Sequence, residues 1–384
     1  MVRVLGKGIT AQAVKENVDD VILYDETDFN LYDKASNDIT IVSPGIPPYN
    51  PMILEANNLQ SDYDFVSDTM PYSIWISGTN GKTTTTQMLQ HLLEKFGSVC
   101  GGNIGTAVCA LNAEAKIWIL ETSSFTLHYT TKAKPNIYIL LPISEDHISW
   151  HGSFEAYENA KLKAMDSMGE GEVAIIPFKY KDYPTQATKI TYENSDDLIK
   201  FFNIEKNRIK FKEPFLMDAV LALCVTKVLF DEFDYDKINA FTIGEHKVEE
   251  FFDQQHRLWI DDSKATNIDA TLAALQTYEN RKIYLLLGGD DKGANLEPLF
   301  ERLKNIEVEI FAIGKNEAKI IALSEQFNLP VFGCQILENA VKKMSKNHDK
   351  NSVAMLSPAA ASLDQFTSYK HRGEEFKRLV NSLS

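Results

Sequence analysis

Between an apolar run, Ser73-Ile74-Trp75-Ile76, and a helical pattern lies the segment Ser77-Gly78-Thr79-Asn80-Gly81-Lys82-Thr83-Thr84. Its glycines let the backbone curl so that successive N–H groups point inward, the arrangement that cradles phosphate oxygens. The helix expected from Thr83 to about Phe96 aims its positive end at the same place. Gly78, Thr79, Asn80, Gly81, Lys82, Thr83 and Thr84 are therefore candidate contacts for a nucleotide's phosphates. Lys82 can reach the outer phosphates, and Thr83 can place a hydroxyl on Mg²⁺. Ile76 stands where the general phosphate loop of GTPases and motors has its first glycine, which sets this loop apart from theirs. A threonine-rich helix cap with an incidental lysine is the other reading of the same residues.

Downstream, Glu121 ends the apolar run Ile117-Trp118-Ile119-Leu120. A strand-end carboxylate there is an oxygen ligand of the kind a hard cation on ATP phosphates needs. Taken alone it could equally be a solvated group or a helix cap. The next run, Ile137-Tyr138-Ile139-Leu140-Leu141, leads into Pro142-Ile143-Ser144-Glu145-Asp146-His147. A neutral ring nitrogen of His147 could ligate a second metal. After it comes a helix pattern, Phe154-x-x-Tyr157-x-x-x-Lys161. Three further motifs each follow an apolar run: Asp261-Asp262-Ser263-Lys264-Ala265-Thr266-Asn267, Gly288-Gly289-Asp290-Asp291-Lys292-Gly293, and Ser357-Pro358-Ala359-Ala360-Ala361-Ser362-Leu363. Small residues at strand ends let backbone and short hydroxyls approach a ligand, and lysines supply charge for a carboxylate or phosphate.

Strand-like runs alternating with helical patterns must position these groups, which predicts α/β layers. Val2-Arg3-Val4-Leu5, Val21-Ile22-Leu23-Tyr24 and Ile39-Thr40-Ile41-Val42 each end in turn residues, as in a small Rossmann-like unit. Gly6-x-Gly8 lacks the third glycine of a dinucleotide fingerprint, so a plain tight turn is at least as good a reading. A central unit runs from Pro71 through the strand Val173-Ala174-Ile175-Ile176 to a helix around 219–230. A third begins near Gly244, with strands at 257–260, 283–287, 308–312 and 353–356. The expected domains are 1–70, 71–243 and 244–384.

Among 384 residues, 54 are Asp or Glu against 39 Lys or Arg, a net charge of -15. That balance argues against a general nucleic-acid binder, while leaving room for a locally positive anion site. The four cysteines form no Cys-x-x-Cys pair, which suits a reducing compartment. MVRVLGKG shows no signal-peptide pattern, and no apolar run is long enough for a membrane helix. A cytoplasmic monomer with no membrane partner is the expectation.

The compact Gly78-Thr79-Asn80-Gly81-Lys82-Thr83 loop, followed in order by Glu121, Asp146-His147, Lys161 and the three late motifs, resembles the bacterial cell-wall Mur ligases over almost the whole chain. The resemblance implies three domains: a Rossmann-like first domain for a UDP-sugar, a central P-loop-type ATPase domain with a parallel sheet, and a Rossmann-like last domain for the incoming amino acid. Within that family the late motifs are similar to those of members that couple D-glutamate to UDP-N-acetylmuramoyl-L-alanine. By the same resemblance Thr266, Lys292, Ser362 and Leu363 hold D-glutamate, with Tyr369 nearby. Asp262 and Lys264 lie on the ATP side, while Asn103 and Ser123 touch the muramoyl-alanine or phosphate region. Ile9, Thr10, Asp25, Ser43 and Gly45 are the candidates for the uridine diphosphate.

The cofactors implied are ATP, Mg²⁺ at two sites, and a carbamylated Lys161. Thr83, Glu121, His147 and that carbamate would be the metal ligands, and Lys82, His147 and Lys161 the catalytic set. An exposed helix lysine paired with Glu155 or Glu158 is the alternative for Lys161. The family's Asp-His-Leu-Asp-Arg-His reads Asp146-His147-Ile148-Ser149-Trp150-His151 here, and its usual His-Arg pair reads His246-Lys247. Its His-Asn-x-x-Asn segment reads Glu213-Pro214-Phe215-Leu216-Met217-Asp218, where Asp218 could stand in for the second Asn. A folylpolyglutamate synthetase-like glutamate ligase and a nucleotide-dependent switch without ligation are the rival functions.

Overall fold

Short apolar strands that end in glycine or small polar residues build three mostly parallel sheets. A computed structural model describes residues 1–383. The first sheet has the order β2-β1-β3-β4, from β1 (Val2–Leu5), β2 (Val21–Tyr24), β3 (Ile39–Val42) and β4 (Leu59–Gln60). The second contains β5 (Tyr72–Ser77), β6 (Ser98–Gly102), β7 (Ile117–Glu121), β8 (Ile137–Leu140), β9 (Val173–Pro177) and β10 (Thr188–Tyr192). Its order is β10-β9-β8-β5-β7-β6. The third joins β11 (Glu249–Phe252), β12 (Leu258–Asp261), β13 (Ile283–Gly288), β14 (Val308–Ile313), β15 (Val331–Gln335) and β16 (Val353–Leu356). Its order is β11-β12-β16-β13-β14-β15, parallel apart from the antiparallel pairing of β11 with β12. The chain gathers into two compact units, the first being 1–211 with 215–241 and the second 212–214 with 242–384. The first and second sheets both belong to the first unit.

Both faces of the central strands of the second and third sheets are covered, so those strands read as continuous apolar runs. In β13, Ile283, Leu285 and Leu287 pack into one core, while Tyr284 and Leu286 pack into another on the opposite face. The helix Phe215–Phe230 buries a nearly continuous stretch, Leu216 and then Asp218 to Thr226. It is longer than the sequence pattern around 219–230 indicates. The loop helix spans Lys82–Leu93 and tightens into a 3-10 turn over Glu94–Phe96. Strands β4, β6, β10, β11 and β15 escape the hydrophobic reading. In β6, Ser98-Val99-Cys100-Gly101-Gly102 offers one large apolar side chain, and in β11, Glu249-Glu250-Phe251-Phe252 is polar at its start. All four cysteines are free thiols. No helix among the described residues is long and apolar enough to cross a membrane.

Order in the sheets fixes where loops meet. In the second sheet the chain leaves β5, builds β6 and β7 on one side, then crosses to β8 on the other. The C-terminal end of β5 is thus a topological switch point, the place where open parallel sheets leave a crevice for ligands.

One buried carboxylate locks the short helix Asp62–Val66 to the entry of β8. Asp64 accepts from Thr131 N (2.7 Å), Thr131 Oγ1 (3.0 Å), Lys132 N (2.8 Å) and Ala133 N (2.8 Å). Replacing it with alanine leaves three backbone N–H groups unsatisfied. Asp64→Ala is expected to lower stability by about 2–4 kcal/mol, read as a fall in the urea midpoint with an unchanged slope.

Candidate active site

The loop between β5 and the helix Lys82–Leu93 occupies that switch point. Gly78 has φ +134° and Gly81 has φ +87°. A Cβ on Gly78 would lie 2.5 Å from Leu141 Cβ, and one on Gly81 would lie 2.7 Å from Asp218 Oδ1. The turn therefore closes against neighbouring chain on both sides and tolerates no side chain at either glycine. Thr79 is pinned by accepting from Ser144 N (2.9 Å) and by contact with Tyr157 Oη at 3.0 Å. Asp218 accepts from Thr85 Oγ1 at 2.6 Å, so it braces the loop helix.

Two lysines converge on the loop. Lys82 Nζ donates to the carbonyls of Gly78 (3.0 Å) and Thr79 (2.9 Å). Lys161 Nζ donates to the same Gly78 carbonyl at 2.8 Å and sits over the Tyr157 ring at 4.7 Å. Lys161 is only 1% exposed, which overturns the reading of it as a solvated helix charge. Glu158, the partner that reading offered, instead takes Lys179 and the Tyr180 hydroxyl. Burial first, and the nearby Lys82 second, hold the Lys161 ammonium well below lysine's usual value.

On the other side of the loop, Thr83 Oγ1 donates to Glu121 Oε2 at 2.7 Å, and Asn103 Nδ2 donates to Glu121 Oε1 at 2.8 Å. A hydroxyl and a carboxylate in contact at a phosphate loop are hard oxygen donors that fit Mg²⁺. Ser123 caps the helix Ser124–Tyr129, accepting from Thr126 N at 3.0 Å. His147 takes a left-handed backbone, φ +54°, at the start of the helix Ile148–His151. Its ring packs against Phe125 at 4.7 Å and lies 6.1 Å from the Tyr157 ring that also carries Lys161. His151, hydrogen-bonded to Ser124 Oγ at 3.0 Å, is pushed by burial down to about 4 and so stays neutral.

In the first sheet, the loops after the adjacent strands β2, β1 and β3 carry the uridine-side candidates. Asp25 accepts from Thr27 Oγ1 at 2.6 Å and is paired with Lys7 at 3.0 Å, which together hold its carboxyl below the usual range. Ile9 and Thr10 open the helix Ile9–Asn17, with Ile9 79% exposed. Ser43 is buried, its hydroxyl without a hydrogen-bond partner, and Gly45 accepts at its carbonyl from Trp150 Nε1 at 3.2 Å.

In the second unit the three late motifs follow β12, β16 and β13, which are neighbours in the sheet. The Asp290 and Ala361 backbones exchange two 2.9 Å hydrogen bonds, joining the Lys292 loop to the Ser362 loop. Lys292 (φ +51°) and Thr266 are exposed, Leu363 is 72% exposed, and Ser362 is buried. Lys264 Nζ lies 4.2 Å from the Tyr369 ring. Asp262 is buried, accepting from Ser357 Oγ (2.7 Å) and Val248 N (3.2 Å), and burial pushes it up to about 7.

Two residues organise this end without having been singled out as site residues by the sequence. Arg372 is fully buried and donates to Ser263 Oγ (2.9 Å), Ser263 O (2.8 Å) and Ala360 O (3.1 Å), binding two of the loops together. His246 Nδ1 meets Asp261 Oδ2 at 2.6 Å, and Gly373 leaves the space for that pair. An arginine inside a helical pattern, with Glu375 three residues on, carries no local mark of burial.

The switch-point loop, the buried lysine and the three adjacent strand ends define a Mur-type ligase. Residues 76–248 match the family model for the Mur ligase middle domain. The MurF ligase from Thermotoga maritima, solved in complex with ADP, shares the fold with a TM-score of 0.62 at 15% identity, over 89% of this chain and 88% of that one. The folylpolyglutamate synthase of Mycobacterium tuberculosis also shares it, with a TM-score of 0.54 at 13% identity, over 82% of this chain and 92% of that one. Sequence is more discriminating. The UDP-N-acetylmuramoylalanine–D-glutamate ligase of Campylobacter jejuni (strain 81-176) is 48% identical over 400 aligned residues, 100% of both chains. The enzyme of the same name from Helicobacter pylori (strain J99) is 48% identical over 94% of this chain and 89% of its own. The chain belongs to the UDP-N-acetylmuramoylalanine–D-glutamate ligase family.

Gly78→Ala tests the loop directly. The added methyl strains a positive φ and meets Leu141, so ATP-dependent turnover should fall at least about 100-fold in a protein that still melts cooperatively. Wild-type turnover in that variant would contradict the geometry.

Proposed function

We propose that this protein joins D-glutamate to UDP-N-acetylmuramoyl-L-alanine at the expense of ATP, through an acyl phosphate, in the synthesis of the peptidoglycan precursor. The observation that carries the proposal is the loop at the β5 switch point, with Lys82 and Lys161 on one carbonyl and Thr83 against Glu121. The proposed division of labour is 1–70 for the UDP-sugar, 71–243 for ATP and 244–384 for the amino acid. A cytoplasmic monomer serving cell-wall growth and division fits that role.

The chain's own groups account for the chemistry. The loop from Gly78 to Thr84 would bind the ATP phosphates through amides other than that of Thr79, which donates to Pro142 O at 3.1 Å, with Lys82 turning from its carbonyls to the outer phosphate. Bound Mg²⁺ would screen the phosphate charges so that an anionic carboxylate can approach. Thr83 and Glu121 would hold it at one site, and His147 with a carbamylated Lys161 at the other. The carbamate forms when the neutral Nζ lone pair attacks CO₂ and a proton leaves. The burial that disfavours the Lys161 ammonium favours this, and the product is an oxygen ligand that an ammonium cannot be. Asn103 and Ser123 would orient the alanyl carboxylate, and Asp262 and Lys264 would complete the ATP side.

D-Glutamate would be held by Thr266, Lys292, Ser362 and Leu363, with Tyr369 beside them. Its amine attacks the acyl carbon, and phosphate leaves from the tetrahedral intermediate. Lys292 is exposed and would pair the glutamate side-chain carboxylate. The folylpolyglutamate rival shares the fold but falls far below the 48% identity of the D-glutamate ligases.

The deciding assay follows ADP release with UDP-N-acetylmuramoyl-L-alanine, with and without D-glutamate. Release should depend on D-glutamate; turnover on a folate substrate instead would select the rival. Lys292→Ala should raise KM for D-glutamate at least about tenfold while KM for ATP moves less than about twofold. Incubation with ¹³C-bicarbonate should give a carbamate NMR signal that Lys161→Ala lacks.

A further inference from the structure

The helix Ile148–His151 holds the one stretch where the expected Asp-Arg pair is replaced, by Ser149 and Trp150. Trp150 is buried, and its indole N–H donates to the carbonyl of Gly45 at 3.2 Å. Gly45 lies in a turn closed by Ile46 N donating to Ser43 O at 3.0 Å. The turn is clamped once more by Tyr129 Oη, which donates to Ile46 O at 2.7 Å, and the next turn, Pro47–Asn50, is tied to the short helix by Tyr49 Oη donating to Ser149 O at 3.2 Å. Within it the Ser43 hydroxyl is buried and has no hydrogen-bond partner, as expected of a group waiting for a ligand.

The same short helix begins at His147. Trp150 N donates to His147 O at 3.0 Å, so only two residues, Ile148 and Ser149, separate the turn's anchor from His147. The Phe125 ring bridges them a second time, stacked on Trp150 at 4.5 Å and edge-on to His147 at 4.7 Å. A displacement of the Ser43–Ile46 turn must therefore move Trp150, and a displacement of Trp150 must move His147.

We infer that Trp150 is a positioning residue that couples filling of the Ser43–Ile46 turn by the nucleotide-sugar's diphosphate to the placement of His147. Nucleotide-sugar and divalent cation then each bind more tightly when the other is present, because such coupling is reciprocal. The inference rests on the ligase reading. An arginine at position 150 would have offered charge to a ligand; tryptophan offers a neutral donor and a large ring, which suit it to hold protein against protein.

The test is calorimetric titration of the full chain with UDP-N-acetylmuramoyl-L-alanine, at constant AMPPNP, in low and in saturating Mn²⁺. In the wild type, saturating Mn²⁺ should tighten binding about five- to tenfold. Trp150→Phe keeps the ring but loses the N–H, and the Mn²⁺ effect should shrink to less than about twofold. Tyr49→Phe removes an exposed hydroxyl that ties the adjoining Pro47–Asn50 turn to this helix, and should reduce the Mn²⁺ effect about twofold even if Trp150→Phe folds poorly. Tyr129→Phe loosens the turn from a different helix. It should weaken binding about two- to tenfold at both Mn²⁺ levels and leave the Mn²⁺ effect intact. A wild-type Mn²⁺ effect in both Trp150→Phe and Tyr49→Phe overturns the coupling, as does its equal loss in Tyr129→Phe. Absence of any nucleotide-sugar binding to the wild type would sink the ligase reading itself, whereas binding indifferent to Mn²⁺ would sink only the coupling.

Discussion

The chain between Ser77 and Lys82 must turn from strand to helix at the centre of a parallel sheet, with no room for a Cβ. Leu141 at the end of β8 fills the space beside Gly78, and Asp218 fills the space beside Gly81. The loop is thus clasped by elements that arrive much later in sequence. The Thr79 amide donates to the Pro142 carbonyl at 3.1 Å, which ties the loop to the segment after β8. Lys82, Thr83, Glu121 and Lys161 acquire their geometry from that clasp: two lysine Nζ atoms meet one carbonyl, and one hydroxyl meets one carboxylate.

Burial does chemical work on Lys161. In water its amine would be protonated and unreactive toward CO₂ at neutral pH. Inside, desolvation penalises the ammonium and the adjacent Lys82 adds repulsion. The Tyr157 ring and the Gly78 carbonyl hold Nζ in place. Burial thus sets this helix lysine apart from a solvated one.

The second unit solves a different problem, that of holding three loops in register. Adjacent strands β12, β16 and β13 deliver them to one edge. A buried guanidinium then ties two of them, and a two-bond backbone bridge ties the third. A fully buried arginine is costly unless its donors are met. Here Ser263 and Ala360 meet three of them, so displacing either loop would expose a charge to an apolar interior. Rigidity of this edge follows from that penalty.

The sequence by itself determined the phosphate loop, the strands with runs of large apolar residues, and the order of motifs along the chain. Those features are local: glycine placement, hydrophobic runs and turn residues carry their meaning within a few positions. It left Lys161 open between a solvated charge and a buried ligand, because Tyr157-x-x-x-Lys161 has the same spacing in either case. It missed the polar and glycine-rich strands β6 and β11, whose pairing comes from neighbours rather than from their own composition. It gave no sign that Arg372 would be buried or that Trp150 would clamp Gly45. Those outcomes depend on which distant backbone a side chain meets, and sheet order, which is settled only when the strands pair, decides that.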